Sequence, residues 1–309
     1  LHYPLRRQRQ MCIRDRMTTD LTLTENTLPF AQAMESLGIV DESGSSNAPS
    51  IPRISVNNKT RSASGAKIPD GTIRVDHPQY GVVYADQAYI RVFQQRFFYQ
   101  RYDENAIFQT KEGKDMRGRY VNRSIFVRNP YDEALDELGT INCGKKKIED
   151  WDKASEEEKE WWRGSKRYRV LFGLLRVENA VKEGNGETVS FDNFPVIYQI
   201  GSKDTFKNFG NVLSELHKTK KLPYSHELKF NMEYKQTPAV SWYVVNPTIE
   251  PENLELTEND INTNKVFNEF ILTHNDIVRQ KASEASKRLD EADGILDSED
   301  FIEVEATAS

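Results

Sequence analysis

From residue 52 onward, apolar and polar positions alternate in short runs broken by turn residues, the period-two signature of half-buried strands. Ile54 and Val56, then Ile73 and Val75, alternate with polar neighbours on either side of the turn signal Pro69-Asp70-Gly71. Runs over 82–93, 97–102 and 120–128 continue the pattern, and the polar stretch 103–118 reads as the connection between the last two. Residues 169–177 and 194–200 are apolar enough for buried strands, with a Gly/Asn-rich turn over 183–193. A closing pair, 227–234 and 240–248, turns at Gln236-Thr237-Pro238.

Two stretches change period. Phe206, Phe209, Val212, Leu213 and Leu216 fall on one helical face, with Asp204 as N-cap. Ser155 and Glu158 make a capping box for a short acidic helix that carries Trp161 and Trp162 and stops at Gly164. Beyond Pro251, residues 256–289 read as one or two exposed helices. Many strands, one packed helix and a closing strand pair give an α+β, mostly β fold. The expected architecture is an OB-like or Greek-key barrel rather than alternating βαβ units.

Charge redraws this picture. Residues 17–50 carry five acids and no Lys or Arg, residues 51–250 carry 32 basic and 27 acidic side chains, and residues 251–309 carry 5 basic and 15 acidic. The formal net charge of −6 therefore hides a basic body between acidic ends, an asymmetry that points to nucleic acid. The domains expected are a flexible acidic segment 17–51, a β-rich body 52–250, a helical segment 251–289 and a disordered acidic tail 290–309. The string Met-Cys-Ile-Arg-Asp-Arg at 11–16 resembles translated sequencing-adaptor sequence, so residues 1–16 are expected to be an artefact and Met17 the start; the alternative is a basic nucleic-acid-binding arm. With Cys12 and Cys143 the only cysteines, no apolar h-region and no apolar run of about eighteen residues, the expectation is a cytoplasmic protein without a membrane segment.

The richest chemistry lies between Arg91 and Arg128, where nine Lys/Arg stand against four acids among eight aromatic rings. Single strands expose phosphates, which need cations, and base faces, which accept flat rings. The candidate contacts are Arg91, Phe93, Arg96, Phe98, Tyr99, Arg101, Tyr102, Arg117, Arg119, Tyr120, Arg123, Phe126 and Arg128, with Lys145, Lys146 and Lys147 beyond them. Without a bulge, Arg91, Phe93, Phe97, Tyr99 and Arg101 share a face; a bulge at Gln94-Gln95 exchanges the later residues for Arg96, Phe98 and Tyr102. Packing in the core is the competing role for each ring. Lys166-Arg-Tyr-Arg169 is a further short basic cluster.

In the tail, acids surround Ile295, Leu296, Asp300, Phe301 and Ile302, a composition suited to docking on a basic, apolar groove of a partner. From 52 to the C-terminus this organisation resembles the single-stranded DNA-binding proteins of tailed phages and bacteria, in which a barrel binds DNA and a flexible acidic tail recruits replication proteins. Phe301 lies eight residues from the end, whereas bacterial tails finish on the aromatic.

Catalytic signals are weak. His77, His217, His226 and His274 have no Cys or His at metal-ligand spacing, and no GxSxG, HExxH or phosphate loop is present. The expected protein is thus no enzyme and needs no cofactor or metal. It is a sequence-tolerant single-stranded DNA binder supporting phage replication or recombination in an infected cell, with RNA also compatible. Replication or recombination proteins would be partners of the tail, and the oligomeric state stays open. The alternative is a virion or scaffold-like structural protein with no nucleic-acid role.

Overall fold

The computed structural model describes residues 51–62, 65, 67–109, 115–141 and 148–299. The expected flexible segment up to residue 50, the lysines at 145–147 and residues 300–309 lie outside them. The described elements, in chain order, begin with β1 (Arg53–Asn57), β2 (Thr72–His77), β3 (Gly81–Ala85), β4 (Gln87–Gln109) and β5 (Asp115–Arg123). Next come α1 (Ile148–Lys153), α2 (Glu156–Gly164), β6 (Ser165–Lys182), β7 (Thr188–Ile200) and α3 (Lys203–Lys218). A 3-10 turn (Pro223–Ser225), β8 (Leu228–Gln236), β9 (Ser241–Ile249) and α4 (Glu258–Glu299) complete the set.

The strands run in the order β3-β2-β1-β7-β6-β4-β8-β9, with β5 on β4. Because β3 also pairs with β6, the first five of these close into a five-stranded barrel, as the OB-like reading expects. Its pairs are antiparallel except β1–β7, which is parallel. Inside, Ile73, Val75, Val83, Leu171, Leu175 and Val196 pack from the strands, and α3 adds Phe209 and Leu216. Those two belong to the helical face that the spacing of Phe206, Phe209, Val212, Leu213 and Leu216 marked. The helix starts one residue before Asp204, with Ser202 at the N-cap and no side-chain cap bond, so Asp204 is a first-turn acid instead. The Ser155–Glu158 capping box is present in full.

Only Asp86 separates β3 from β4, so one nearly continuous strand leaves the barrel and runs on beside β6. A bulge falls between Val92 and Gln94. Gly173 stands opposite it, and a Cβ there would meet the Arg91 carbonyl oxygen at 2.3 Å; glycine is what lets the two strands approach. Past Arg101, β4 has only β5 as its recorded neighbour, with Tyr102 opposite Tyr120 and Asp103 opposite Arg119. Most of the polar stretch expected to be a connection is therefore a two-stranded ribbon.

The sheet edge at β9 is occupied by side chains. Asn58 Oδ1 accepts from Tyr243 N (2.9 Å), Thr205 Oγ1 accepts from Val245 N (3.2 Å), and Asn208 Nδ2 donates to Val245 O (3.1 Å). Backbone groups satisfied in this way do not offer a template for another strand.

Helix α4 differs from the exposed helices expected after Pro251. It is one element that runs ten residues past 289, and it buries the stripe Asp260, Thr263, Phe267, Ile271, Asn275, Val278 and Ala282. Thr257 and Asp260 exchange capping bonds at its start. Phe267 and Ile271 then join Phe98, Phe126, Tyr168, Phe172 and Ile197 in a second core, which also takes in Ile51 from the segment expected to be flexible. Gln94 Nε2 donates to Asn264 and Asn268 (both 2.8 Å), and Asn275 Oδ1 accepts from Phe126 N (2.7 Å).

At the β2–β3 turn, His77 is packed among Tyr80, Phe191 and Phe194, with ring centroids 4.4–4.6 Å away. Its Nδ1 accepts from the backbone N–H groups of Gln79 (3.2 Å) and Tyr80 (3.3 Å), so the ring must be neutral there. Burial pushes the imidazole from 6.5 down to about 4. The unfolded chain then binds the extra proton between those two values, so this contribution to stability is complete above about pH 6.5 and lost as pH falls towards 4. Urea unfolding at pH 7 and pH 4.5 should show a loss of about 1–2 kcal/mol from this group, after discounting for solvent screening. His77→Asn keeps an acceptor without the titration and should lose correspondingly less; equal losses would remove His77 as the cause.

Candidate nucleic-acid interface

The bulge decides which side chains share a face. Beyond it, Arg96, Phe98 and Gln100 stand opposite Val170, Tyr168 and Lys166, while Phe97 and Tyr99 stand opposite Arg169 and Arg167. Of the two registers expected, the structure has the one with Phe93, Arg96, Phe98 and Tyr102 together. That face, however, is where α4 docks.

Several expected contacts are accordingly structural. Arg91 is buried in an ion pair with Asp260 (3.1 Å) and donates to the carbonyls of Tyr224 (3.1 Å) and Glu255 (3.4 Å), so it cannot meet a phosphate. Phe93 is half-buried between Tyr224 and Phe267. Phe98 is stacked on Tyr168 at 5.0 Å and edge-on to Phe126 at 5.5 Å, and Phe126 lies 4.3 Å from the His274 ring. Tyr99 is buried with its hydroxyl donating to Pro130 O at 2.6 Å. None of these buried rings can stack on a base in the folded protein.

Five other expected contacts reach the surface. Arg123 and Arg128 are exposed, Arg96 and Arg101 are half-buried, and Tyr102 is 44% exposed at the root of the ribbon. Arg117, Arg119 and Tyr120 are placed on the ribbon by register, opposite Ile107, Asp103 and Tyr102. Ile295 and Leu296 fall in α4; Asp300, Phe301 and Ile302 lie outside the described residues, as do Lys145, Lys146 and Lys147.

What the sequence did not single out is a ladder on the opposite face. Arg167 and Arg169 place their guanidinium carbons 4.6 and 4.5 Å from the ring centroid of Phe206 on α3, and Arg169 also lies over Phe97 at 5.2 Å. Arg167 further reaches the ring of Tyr131 at 6.0 Å and donates to Pro130 O at 3.3 Å. The signal available beforehand was strand parity, which separates Arg167 and Arg169 from Lys166 and Tyr168.

Electrostatically the arginines at this end of the sheet crowd one another. Burial and then Arg167 lower Arg169 to about 10, so it stays charged at neutral pH. Burial followed by Arg128 lowers Arg96, and burial followed by Arg123 lowers Arg53, whose Nη1 reaches Gln199 at 3.5 Å. Elsewhere arginines do find partners, as Arg176 does with Glu227 and Glu178.

Among the described residues no three His, Cys, Asp or Glu side chains gather as a metal site, and no helix is long and apolar enough to cross a membrane. No protein-family model, curated protein or solved structure matches the chain.

Proposed function

We propose that the protein binds single-stranded nucleic acid at the end of the β4–β6 sheet that carries the ribbon. The observation that carries this reading is the crowding of Arg96 with Arg128 and of Arg167 with Arg169, without a recorded carboxylate partner for either pair among the described residues; Arg53 and Arg123 form a third pair, with Glu137 beside Arg123. Like charges held together raise the local potential and lower the cost of bringing in a polyanion. Tyr102 and Tyr131, 44% and 57% exposed, supply ring faces on the two sides of this end of the sheet. Cations with open rings suit unpaired bases better than duplex, whose bases are already stacked.

The DNA-replication or recombination setting, the phage host cell and recruitment of partner proteins through the acidic end belong to the same proposal and rest on the organisation of the chain. The scaffold alternative calls for long flat apolar edges or a large apolar patch, and at β9 the edge groups of Tyr243 and Val245 are already taken by side chains.

Anisotropy of a labelled oligo-dT across a salt series tests the reading. Neutralising about four phosphates gives a log–log slope near −3, at roughly −0.7 per phosphate for a single strand. Absence of binding at low salt, or a flat salt dependence, would overturn it.

A further inference from the structure

We propose that Arg167, Arg169 and Tyr131 form a seat for one backbone phosphate of a single strand and the base next to it, an inference that rests on the nucleic-acid reading. Arg169 is 8% exposed, donates to Gln95 Oε1, and keeps a buried Nε without a hydrogen-bond partner. A guanidinium so deeply placed is normally matched by an opposite charge. Its charged neighbour is instead Arg167. The space for it is made by Gly210 on α3, where a Cβ would stand 2.7 Å from Arg169 Nη2.

The acids close in sequence to Phe206 and Tyr131 have partners of their own. Asp204 faces Lys235 at 3.4 Å, and Asp132 accepts from the backbone of Asn129. The missing counter-charge is thus an anion from outside this cluster, and half-buried Arg167 is the group it can reach. Arginine has five donors, and the Pro130 carbonyl accounts for one recorded bond from Arg167. A guanidinium fork fits phosphate and carboxylate alike. The exposed Tyr131 ring beside Arg167 selects the nucleotide, because it offers a stacking face next to the cation. Exposed Lys203 and Lys207 on α3 flank Phe206 in sequence and add positive charge on the approach.

The test uses the full chain with Arg167→Gln, Tyr131→Ala and, as a control on α2, Arg163→Gln, each checked by thermal melting. Binding to labelled oligo-dT is followed across salt. Arg167→Gln should weaken binding about tenfold at low salt and make the slope shallower by roughly 0.7, one phosphate. Tyr131→Ala should weaken binding by about tenfold with the slope unchanged. Arg163→Gln should bind within about twofold of the parent. If the parent binds and both site variants match it, the seat is wrong while the nucleic-acid reading stands. If the parent does not bind, that reading fails first. If oligo-dT affinity is unchanged in Arg167→Gln, yet a peptide of residues 290–309 binds the parent and not this variant, the seat holds the protein's own acidic end and the proposal is overturned.

Discussion

Asp260→Ala should lower the unfolding free energy by about 3–5 kcal/mol, the range for removing one partner of a buried ion pair. Arg91 and Asp260 side chains are 8% and 3% exposed, so solvent cannot replace the lost carboxylate. The carbonyls of Tyr224 and Glu255 and the face of the Phe93 ring remain for the stranded guanidinium, and none of them carries a charge. The same carboxylate also accepts from Thr257 N at 3.0 Å, so the substitution removes half of the capping box that starts α4. An exposed pair on the same helix, Arg279 with Asp276, should contribute under about 1 kcal/mol. Urea unfolding of Asp260→Ala and Asp276→Ala provides the comparison. Pairing Arg91→Met with Asp260→Leu should recover most of the loss, because no unpaired charge is left buried. A loss below about 1 kcal/mol for Asp260→Ala would show that the pair does not anchor the helix.

That ion pair also shows what the sequence could and could not convey. The barrel strands were legible because Ile54, Ile73 and Val75 have one face in a core and announce it by alternation, while the 169–177 run is mostly apolar and fills both cores, Leu171 and Leu175 in one and Val170 and Phe172 in the other. The inward stripe of α4 was obscured because three of its seven positions are polar: Thr263 bonds back to Asn259 O within the helix, while Asp260 and Asn275 have partners far away in the chain. Asp260 reads as one more acid in an acidic segment until Arg91 is placed beside it, 169 residues away. The ribbon was missed for a related reason: beyond Arg101 no third strand is recorded to impose a buried face.

The candidate site was legible as a region and not as residues. Composition located the basic, aromatic stretch on β4, β5 and the segment after it. It could not say which rings are covered, since that depends on the bulge at Val92/Gln94 and on a helix from the other end of the chain. Phe98 and Phe126 face α4, Phe97 and Tyr99 face the Pro130 loop and α3, and both parities are used in packing. The ladder of Arg167, Phe206 and Arg169 depends on a strand and a helix meeting, which no local pattern states.

Tyr99→Ala, on these grounds, should act on stability and cost about 3–5 kcal/mol, the range for truncating a large buried ring. The residue is 2% exposed, packs with Phe97, Val127 and Ala134, and is tied to the next segment by both backbone and side chain. Its N–H donates to Ser124 Oγ at 2.9 Å, its carbonyl accepts from Ser124 N at 3.0 Å, and its hydroxyl holds Pro130 O. Tyr99→Phe keeps the ring and removes the hydroxyl, so it should cost about 1 kcal/mol, the usual net worth of such a bond. Tyr102→Ala, three residues along on the exposed root of the ribbon, should change stability by under about 1 kcal/mol. Urea unfolding of the three variants gives the order Tyr99→Ala, Tyr99→Phe, Tyr102→Ala from largest loss to smallest. A Tyr99→Ala protein that melts like the parent and binds oligo-dT more weakly would put the ring on the nucleic acid and not in the core, and the packing described for β4 would be wrong.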